Sequence, residues 1–418
     1  MKKHYFLFAG ISLMLGLGSC SDDNQPENNN QDEEPQAPQI VDLSKDEMAN
    51  CYIVQTPGLY KFKADNMFNQ GEGLPIPEEI HPESAELIWQ TVKSSVSSVE
   101  LVTEDGVPYI QFEIAEASGN ALIAALDVEG KIEWSWHIWM PESNIESVRT
   151  STGYDVMNMN LGAINNTPGD ARSYGMLYQW GRKDPFPASA TTTGNTQTLS
   201  APMYDIDNKE ILLSYSNWYS NVDNTIEYSI ANPTVCISNY SQFTTNRDWL
   251  KDSQDNLWGN PQGYQPGLSG DEKFQNKGRK TCYDPSPAGW RVAPADAFSN
   301  LTSTGGYAWT FDDFNVADNN KDGVIDINDY VFGWYFNVSE GTSLYFPAAS
   351  RFDGSYAMLM GSMSGLWGNY WSNSPYPSIA GGAFCALSFQ TIDDAITVSA
   401  SGGASRADAY SIRCIRDN

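Results

Sequence analysis

The sequence predicts an α+β fold that is mostly β, in which several short strands are joined by turns and long loops. Aromatic residues, which are enriched in strands, make up 12% of the 418 residues. The chain also contains 34 glycines and 22 prolines, which favour turns over long helices. Helical patterns are sparse, and the best candidate is the short segment Ala295–Leu301. These features favour sheets over a helical bundle.

An N-terminal β-sandwich is predicted over residues 41–142, because short β-type segments follow one another there without a long helical pattern. The clearest strand pattern lies in Lys131–Trp139, where Ile132, Trp134, Trp136 and Ile138 fall on one face and Glu133, Ser135 and His137 on the other. The other predicted strands are Ala49–Val54, Gly58–Phe62, Ser98–Thr103, Pro108–Ile114 and Ala121–Leu126. After residue 142, long polar loops separate aromatic-rich segments, which indicates a second domain over residues 143–418.

The N-terminal segment predicts export and attachment to a membrane. Two lysines precede an apolar run from Tyr5 to Leu17, which is too short to span a bilayer as a helix and is typical of a secretory signal. The residues Leu17–Cys20 resemble the lipobox of bacterial lipoproteins, which implies a signal peptide over residues 1–19 and acylation of Cys20, for example with palmitate. A secretory signal followed by a chance cysteine is the alternative.

Residues 20–40 are predicted to form a disordered acidic tether, since residues 21–39 contain no aromatic or β-branched side chain. The acidic residues directly after Cys20 resemble the surface-export signal of Bacteroidetes lipoproteins, so the predicted location is the outer membrane, lipid-anchored and facing outward. The formal net charge of −28 argues against nucleic acid and anionic lipid as partners, because both would be repelled. Contact with the membrane is therefore predicted through the lipid anchor only.

The stretch Asp318–Asp329 has the spacing of a calcium-binding loop. Oxygen-bearing side chains occupy its first, third, fifth, ninth and twelfth positions, and a glycine occupies the sixth. With a backbone carbonyl at the seventh position, the predicted ligands are Asp318, Asn320, Asp322, Val324, Asp326 and Asp329. Gly323 permits the turn around the ion, and Ile325 is predicted to pin the loop to the core. An exposed turn rich in Asp and Asn is the alternative.

The predicted cofactor is thus calcium, acting as a structural clip on an insertion near residues 312–335. Clustered aspartates repel one another without a cation, so calcium binding is predicted to order the loop. The calcium concentration outside cells keeps even a weak site filled. Calcium-mediated binding of sugar is the alternative role.

Four segments of the chain, taken in order, resemble those of one family. They are Tyr174–Phe186 (YGMLYQWGRKDPF), Asp284–Val292 (DPSPAGWRV), Tyr370–Ser374 (YWSNS) and Ser411–Ile415 (SIRCI). They resemble Bacteroidetes surface lipoproteins of the fimbrillin and fimbrial-tip-related group that carry a Fibrobacter succinogenes major paralogous domain. The resemblance implies a C-type-lectin-like fold with long loops for residues 143–418. Residues 49–54 and 119–139 also resemble the β domain that precedes it in the family.

The cysteines depart from that family pattern. Ser286 stands where the family has a cysteine, and the resemblance implies that a covalent link to Cys414 would come from Cys282 instead. The cysteines after Cys20 are Cys51, Cys236, Cys282, Cys385 and Cys414. Their number is odd, so at least one thiol stays free, and the pairing is left open.

The sequence predicts a protein that is not an enzyme. After the signal the chain has only two histidines, His81 and His137, so a centre that needs imidazole is not expected. Acidic pairs such as Asp312 and Asp313 are expected to be solvated, since such pairs arise freely among 52 acidic residues. Cys385 lies in an apolar stretch and is predicted to be an unreactive buried thiol.

The predicted role is binding. The resemblance implies a fimbria-associated or tip-like adhesin, whose partners are fimbrial subunits or a ligand on a host or microbial surface, glycans included. A glycan-binding surface lipoprotein of a polysaccharide-uptake system is the alternative. Trp367 and Tyr376 are candidate ligand contacts because exposed rings stack on sugars or grip a protein partner, whereas Trp371 is predicted to lie in the core.

Overall fold

The computed structural model describes residues 39–195, 197–216, 224–239, 247–263, 277–376, 381–392, 395–400 and 402–417. Strands account for 40% of the residues and helices for 6%, which confirms the predicted mostly-β fold of the α+β class. Residues Gln39–Asn418 cluster as one compact unit, and the boundary near residue 142 stays a prediction. Cys20, the signal peptide and the tether up to residue 38 lie outside the described residues. No helix of the described residues is long and apolar enough to cross a membrane.

The strands are short and follow one another along the whole described chain. In chain order they are β1 Ile40–Asp42, β2 Cys51–Ile53, β3 Gly58–Lys63, β4 Ser84–Gln90, β5 Val96–Glu104, β6 Val107–Ile114, β7 Gly119–Leu126, β8 Ile132–Met140, β9 Ser147–Arg149, β10 Asp155–Met157, β11 Met176–Gln179, β12 Phe186–Pro187, β13 Met203–Tyr204, β14 Glu210–Ile211, β15 Ser214–Ser216, β16 Val235–Ile237, β17 Trp290–Val292, β18 Tyr307–Ala308, β19 Gly333–Ser339, β20 Thr342–Pro347, β21 Phe352–Asp353, β22 Met358–Leu359, β23 Trp367–Tyr376, β24 Gly382–Ile392, β25 Ala395–Ser399, β26 Gly402–Ser405, β27 Ala409–Ser411 and β28 Cys414–Arg416. The helical elements are the α-helix α1 Ile226–Ala231 and 3₁₀ helices at Ala171–Ser173, Ser299–Leu301, Phe311–Asp313, Ile327–Asp329 and Gly361–Met363.

Two sheets built mainly from the first third of the described chain share one core. One has the strand order β1-β3-β6-β5, and the other has the order β14-β13-β4-β7-β8-β2. The ring of Phe62 on β3 lies 4.9 Å from that of Tyr52 on β2 and 5.1 Å from that of Trp136 on β8, so aromatic contacts join the sheets. The strands predicted in this region are present with ends shifted by at most two residues.

The centre of the six-stranded sheet, strands β7 and β8, is buried on both faces. Every residue of β7 is buried, and the polar residues Ser135 and His137 of β8 are each 1% exposed. Trp134 and Trp136 enter the core shared with the four-stranded sheet, whereas Trp139, which points the opposite way, enters a second core. The centre of this sheet is therefore a middle layer between two apolar cores, and Ser135 and His137 are shielded from solvent there.

The second core packs against a ten-stranded sheet made of strands from residue 176 onward. Its main path is β12-β11-β27-β23-β24-β25-β18, and β21, β22 and β26 lie off this path. Trp371 on β23 is fully buried there, stacks on Tyr410 at a centroid distance of 4.3 Å and donates its indole N–H to the carbonyl of Tyr178 at 2.7 Å. The predicted core position of Trp371 is confirmed.

The best helical candidate, Ala295–Leu301, is helical only at its end. The segment consists of turns followed by the 3₁₀ helix Ser299–Leu301, with bonds from Ala297 N to Pro294 O and from Leu301 N to Phe298 O. Seven residues are too few to form a stable helical ladder unaided, and burial of the apolar side chains decides the backbone path instead.

All five cysteines of the described residues are buried free thiols, so the link between Cys282 and Cys414 implied by the resemblance is not formed. The two residues belong to different apolar clusters, and the Cys414 thiol donates to Ser286 Oγ at 3.3 Å. Burial raises the pKa of Cys282 and of Cys414 to about 12. Cys385 is 3% exposed, and burial raises its pKa as well, which confirms that the thiol is buried; its lack of reactivity stays a prediction.

Candidate functional site

The predicted calcium loop, Asp318–Asp329, is flanked on both sides by residues that bond to β19, which forms a β-hairpin with β20. Before the loop, the backbone N–H of Ala317 donates to the carbonyl of Tyr335 on β19 at 2.8 Å. After the loop, the N–H of Val331 donates to the carbonyl of Gly333, where β19 begins, at 3.1 Å. Both ends of the loop are therefore fixed on the same strand.

Asp329, the residue at the twelfth position, closes the loop. It is 1% exposed, and its Oδ1 accepts the backbone N–H groups of Asn319 at 2.7 Å and Asn320 at 3.1 Å. Its Oδ2 accepts the N–H of Asp326 at 3.1 Å, and Asp326 in turn caps the 3₁₀ helix Ile327–Asp329. One carboxylate thus joins the beginning of the loop to its end.

The first half of the loop turns around the carboxylate of Asp318. Its two oxygens accept the N–H groups of Asp322 at 3.2 Å and Gly323 at 2.9 Å. Gly323 has a φ of +87°, a backbone conformation that residues other than glycine rarely adopt. The predicted turn at the sixth position is therefore confirmed. Asn320 Oδ1 also accepts the Asp322 N–H at 2.9 Å, so the side chains of the first, third and twelfth positions all face the backbone of the loop.

The donor chemistry of the loop fits calcium. The six predicted ligands supply carboxylate, amide and backbone carbonyl oxygens, the ligand type that calcium takes in sets of six to eight. Each carboxylate oxygen has more than one lone pair, so accepting a backbone N–H does not by itself prevent metal binding. Among the described residues, no group of three or more His, Cys, Asp or Glu side chains is arranged to hold a metal ion. Calcium binding therefore stays a prediction.

The prediction that Ile325 pins the loop to the core is wrong. Its side chain is 37% exposed, and that of Val324 is 57% exposed, because the loop packs inward through Asp329 rather than through its apolar residues. The anchor is Tyr330, directly after the loop, whose ring centroid lies 5.0 Å from that of Trp334 and whose hydroxyl donates to Gly365 O at 2.8 Å. An aromatic residue placed between the twelfth position and a strand was the signal for it.

Trp367 and Tyr376, the candidate ligand contacts, lie at the two ends of β23. An extended strand of ten residues spans about 30 Å, so one small ligand cannot contact both rings. Each side chain is half-buried. The guanidinium of Arg351 lies 5.1 Å from the Trp367 ring centroid, and the Tyr376 ring packs so closely on Gly403 that a Cβ there would lie 2.5 Å from it. The structure does not bring these two residues together.

His137 on β8 and the Lys183–Asp184 pair that contacts Ser135 of β8 are buried, whereas His81 is exposed. His137 Nε2 lies 2.8 Å from Asn120 Oδ1, and its Nδ1 lies 3.3 Å from the Tyr178 hydroxyl. Burial lowers the pKa of His137 to about 3, so the ring is neutral at physiological pH. Lys183 is 3% exposed and pairs with Asp184 at 2.6 Å, and burial lowers the pKa of the lysine.

No family model matches the chain, and no match was found among curated proteins or among solved structures. The resemblance to fimbrial-tip lipoproteins accordingly stays a prediction from the residues quoted above. What the chain can do is therefore inferred from the chemistry of its own side chains.

Proposed function

We propose that the chain is a non-catalytic cell-surface lipoprotein, a fimbria-associated or tip-like adhesin held at the outer membrane by lipid on Cys20. The observation that supports the proposal is the burial of His137, Lys183 and the five thiols of the described residues, with His81 as the exposed exception. The calcium-type loop and several aromatic rings, by contrast, face outward. Such a surface suits recognition, and the buried groups hold the core together.

In this proposal calcium stabilises the exposed loop Asp318–Asp329 and the aromatic residues that support it. The loop Asp318–Asp329 ends against Tyr330, which packs on Trp334, and Phe311 packs on the same indole at a centroid distance of 6.0 Å. The segment that contains Phe311 and the calcium loop therefore share one aromatic support. An ion bound at Asp318 and Asp329 would fix the loop and, through Tyr330, that support.

The anchor is tested by fractionating cells that produce the native chain, the Cys20→Ser variant or the matched Asn24→Ala variant. The native chain and the Asn24→Ala variant should sediment with membranes, whereas Cys20→Ser, which removes the acylated thiol, should appear in the soluble fraction. Sedimentation of all three with the membranes contradicts lipid anchoring.

The adhesin role is tested by deleting the gene that encodes this protein. Attachment of the deleted and the native cells to host-cell monolayers and to partner bacteria is then measured. Attachment should fall on deletion, and the native protein should copurify with sheared fimbriae. If attachment is unchanged and growth on a polysaccharide slows instead, the role in polysaccharide uptake replaces the proposal.

A further inference from the structure

Two aromatic side chains near the calcium loop are exposed and stacked on each other. Tyr307 is 56% exposed and Trp309 is 69% exposed. Their ring centroids lie 5.3 Å apart with an interplanar angle of 27°. Most large aromatic rings of the described residues lie in the core, so an exposed pair with a common orientation is a feature that folding does not require.

The strand β18 explains why both rings face outward. Ala308, between them, is 1% exposed and pairs with Val398 at the edge of the ten-stranded sheet. Successive side chains of a strand point to opposite sides, so Tyr307 points away from the buried side of Ala308, and Trp309, directly after the strand, is exposed beside it. The alternation of aromatic, small and aromatic residues in the sequence TGGYAWT was the signal for this pair.

The polar residues around the pair are held in place by hydrogen bonds within the segment. Thr304 Oγ1 donates to Tyr307 O at 3.0 Å. Ser303 Oγ and Thr310 Oγ1 donate to the carboxylate of Asp313 at 2.6 and 3.0 Å, and these bonds lower the pKa of Asp313. The segment that carries the two rings therefore also carries an ionised, oriented carboxylate beside exposed hydroxyl groups.

The surroundings of the pair indicate the class of ligand. No lysine or arginine occurs from Leu301 to Asn320, so the segment that carries the rings has no side chain to neutralise a nucleotide or a phospholipid headgroup. The nearest exposed neighbours in sequence are Ser303, Thr304, Gly305, Thr310 and Asp312, which supply hydroxyl groups, a glycine and a carboxylate rather than the broad apolar centre of a protein interface. A neutral sugar combines an apolar C–H face, which packs on aromatic rings, with hydroxyl groups that donate to carboxylates.

We propose that Tyr307 and Trp309 form a binding platform for neutral carbohydrate, with Asp313 and the adjacent hydroxyl groups at its rim. This site rests on the proposed binding function and names the ligand class of that function. It differs from Trp367 and Tyr376, which are half-buried and lie on another strand.

The test measures binding of the full chain to immobilised gluco-, manno- and galacto-oligosaccharides, with choline as a cationic competitor. At least one saccharide should bind the native protein, and Tyr307→Ala/Trp309→Ala should weaken binding ~10-fold or more. Trp309→Phe should retain most of the binding, because it keeps an aromatic face. Tyr356→Ala, which removes a ring that is 64% exposed elsewhere, is the matched control and should bind as the native chain does. Melting temperatures should be equal throughout, since the replaced side chains are exposed.

Three results would overturn the assignment: no saccharide binds, the double variant binds as well as the native chain, or choline displaces the saccharide at equal concentration. Attachment assays separate these failures from failure of the adhesin role. If cells with the double variant attach normally while cells that lack the protein do not, the adhesin role is supported and the carbohydrate site at Tyr307 and Trp309 is contradicted. If deletion itself leaves attachment unchanged, the proposed function fails whatever the saccharides do.

Discussion

The strand Gly119–Leu126 and the loop Asp318–Asp329 are held in place by opposite means. Every residue of the strand is buried, and its side chains enter apolar cores on both faces of the middle sheet. In the loop only Asp329 is buried, and side-chain carboxylates hold the backbone N–H groups. The difference shows that one chain stabilises its sheets by apolar burial and a surface insertion by polar bonds, which a cation can reinforce.

The largest expected effect comes from opening a cavity beside the middle sheet. Trp136 is 1% exposed and packs on Phe62, so Trp136→Ala should lower the free energy of unfolding by ~3–5 kcal/mol. Denaturant titration measures the change. Val128→Ala, in the neighbouring turn where the side chain is 84% exposed, should change it by less than ~0.5 kcal/mol. Equal losses in the two variants would mean that this sheet is not held by burial.

The second effect depends on pH. The pKa of His137 is about 3 in the folded chain against 6.5 for an exposed histidine, because burial disfavours the charged ring. Between these values the unfolded chain binds a proton that the folded chain does not. Stability from the neutral ring is therefore complete above pH 6.5 and is lost as the pH falls toward 3, by ~1.4 kcal/mol per pH unit.

His137→Gln isolates that contribution, because it keeps a polar side chain beside Asn120 and does not titrate. Unfolding free energies at several pH values between 7 and 4 should fall less steeply for the variant than for the native chain. Parallel curves would show that His137 does not couple folding to protons. The carboxylates titrate in both proteins, so only the difference between the two slopes of unfolding free energy against pH reports on His137.

A smaller effect is expected from Asp329→Asn in the loop. The substitution removes the charge that accepts three backbone N–H groups and should lower the free energy of unfolding by ~1–3 kcal/mol. It should also abolish the stabilisation by calcium, because the twelfth ligand is lost. Thermal melting of both proteins, with calcium or with a chelator, measures the two effects.

Asn319→Ala is the matched control for the loop, since it changes an exposed side chain that is not a predicted ligand and keeps the backbone N–H. It should melt like the native chain, and the chelator should lower the melting temperature of both. If the chelator leaves the native melting curve unchanged, the calcium clip is wrong, and the loop is held by its carboxylate–backbone bonds alone.

The contrast between these regions also explains what could be predicted from the sequence. The spacing of the loop is local, so the turn at Gly323 follows from twelve consecutive residues. The burial of Ser135 depends on Asp184, whose carboxylate accepts the Ser135 hydroxyl at 2.6 Å from 49 residues further along the chain. A period of two reveals a strand but not which later segment covers its polar face, so the middle layer could not be foreseen.

The smallest effect tests whether apolar contact contributes to the loop at all. Val324 supplies only a backbone carbonyl to the predicted calcium site, and its side chain is 57% exposed. Val324→Ser should therefore change the free energy of unfolding by less than ~0.5 kcal/mol and leave the response to calcium intact. A loss above ~1 kcal/mol in the denaturant titration would mean that the exposed valine packs on a neighbour, and the loop would then resemble the strand in how it is stabilised.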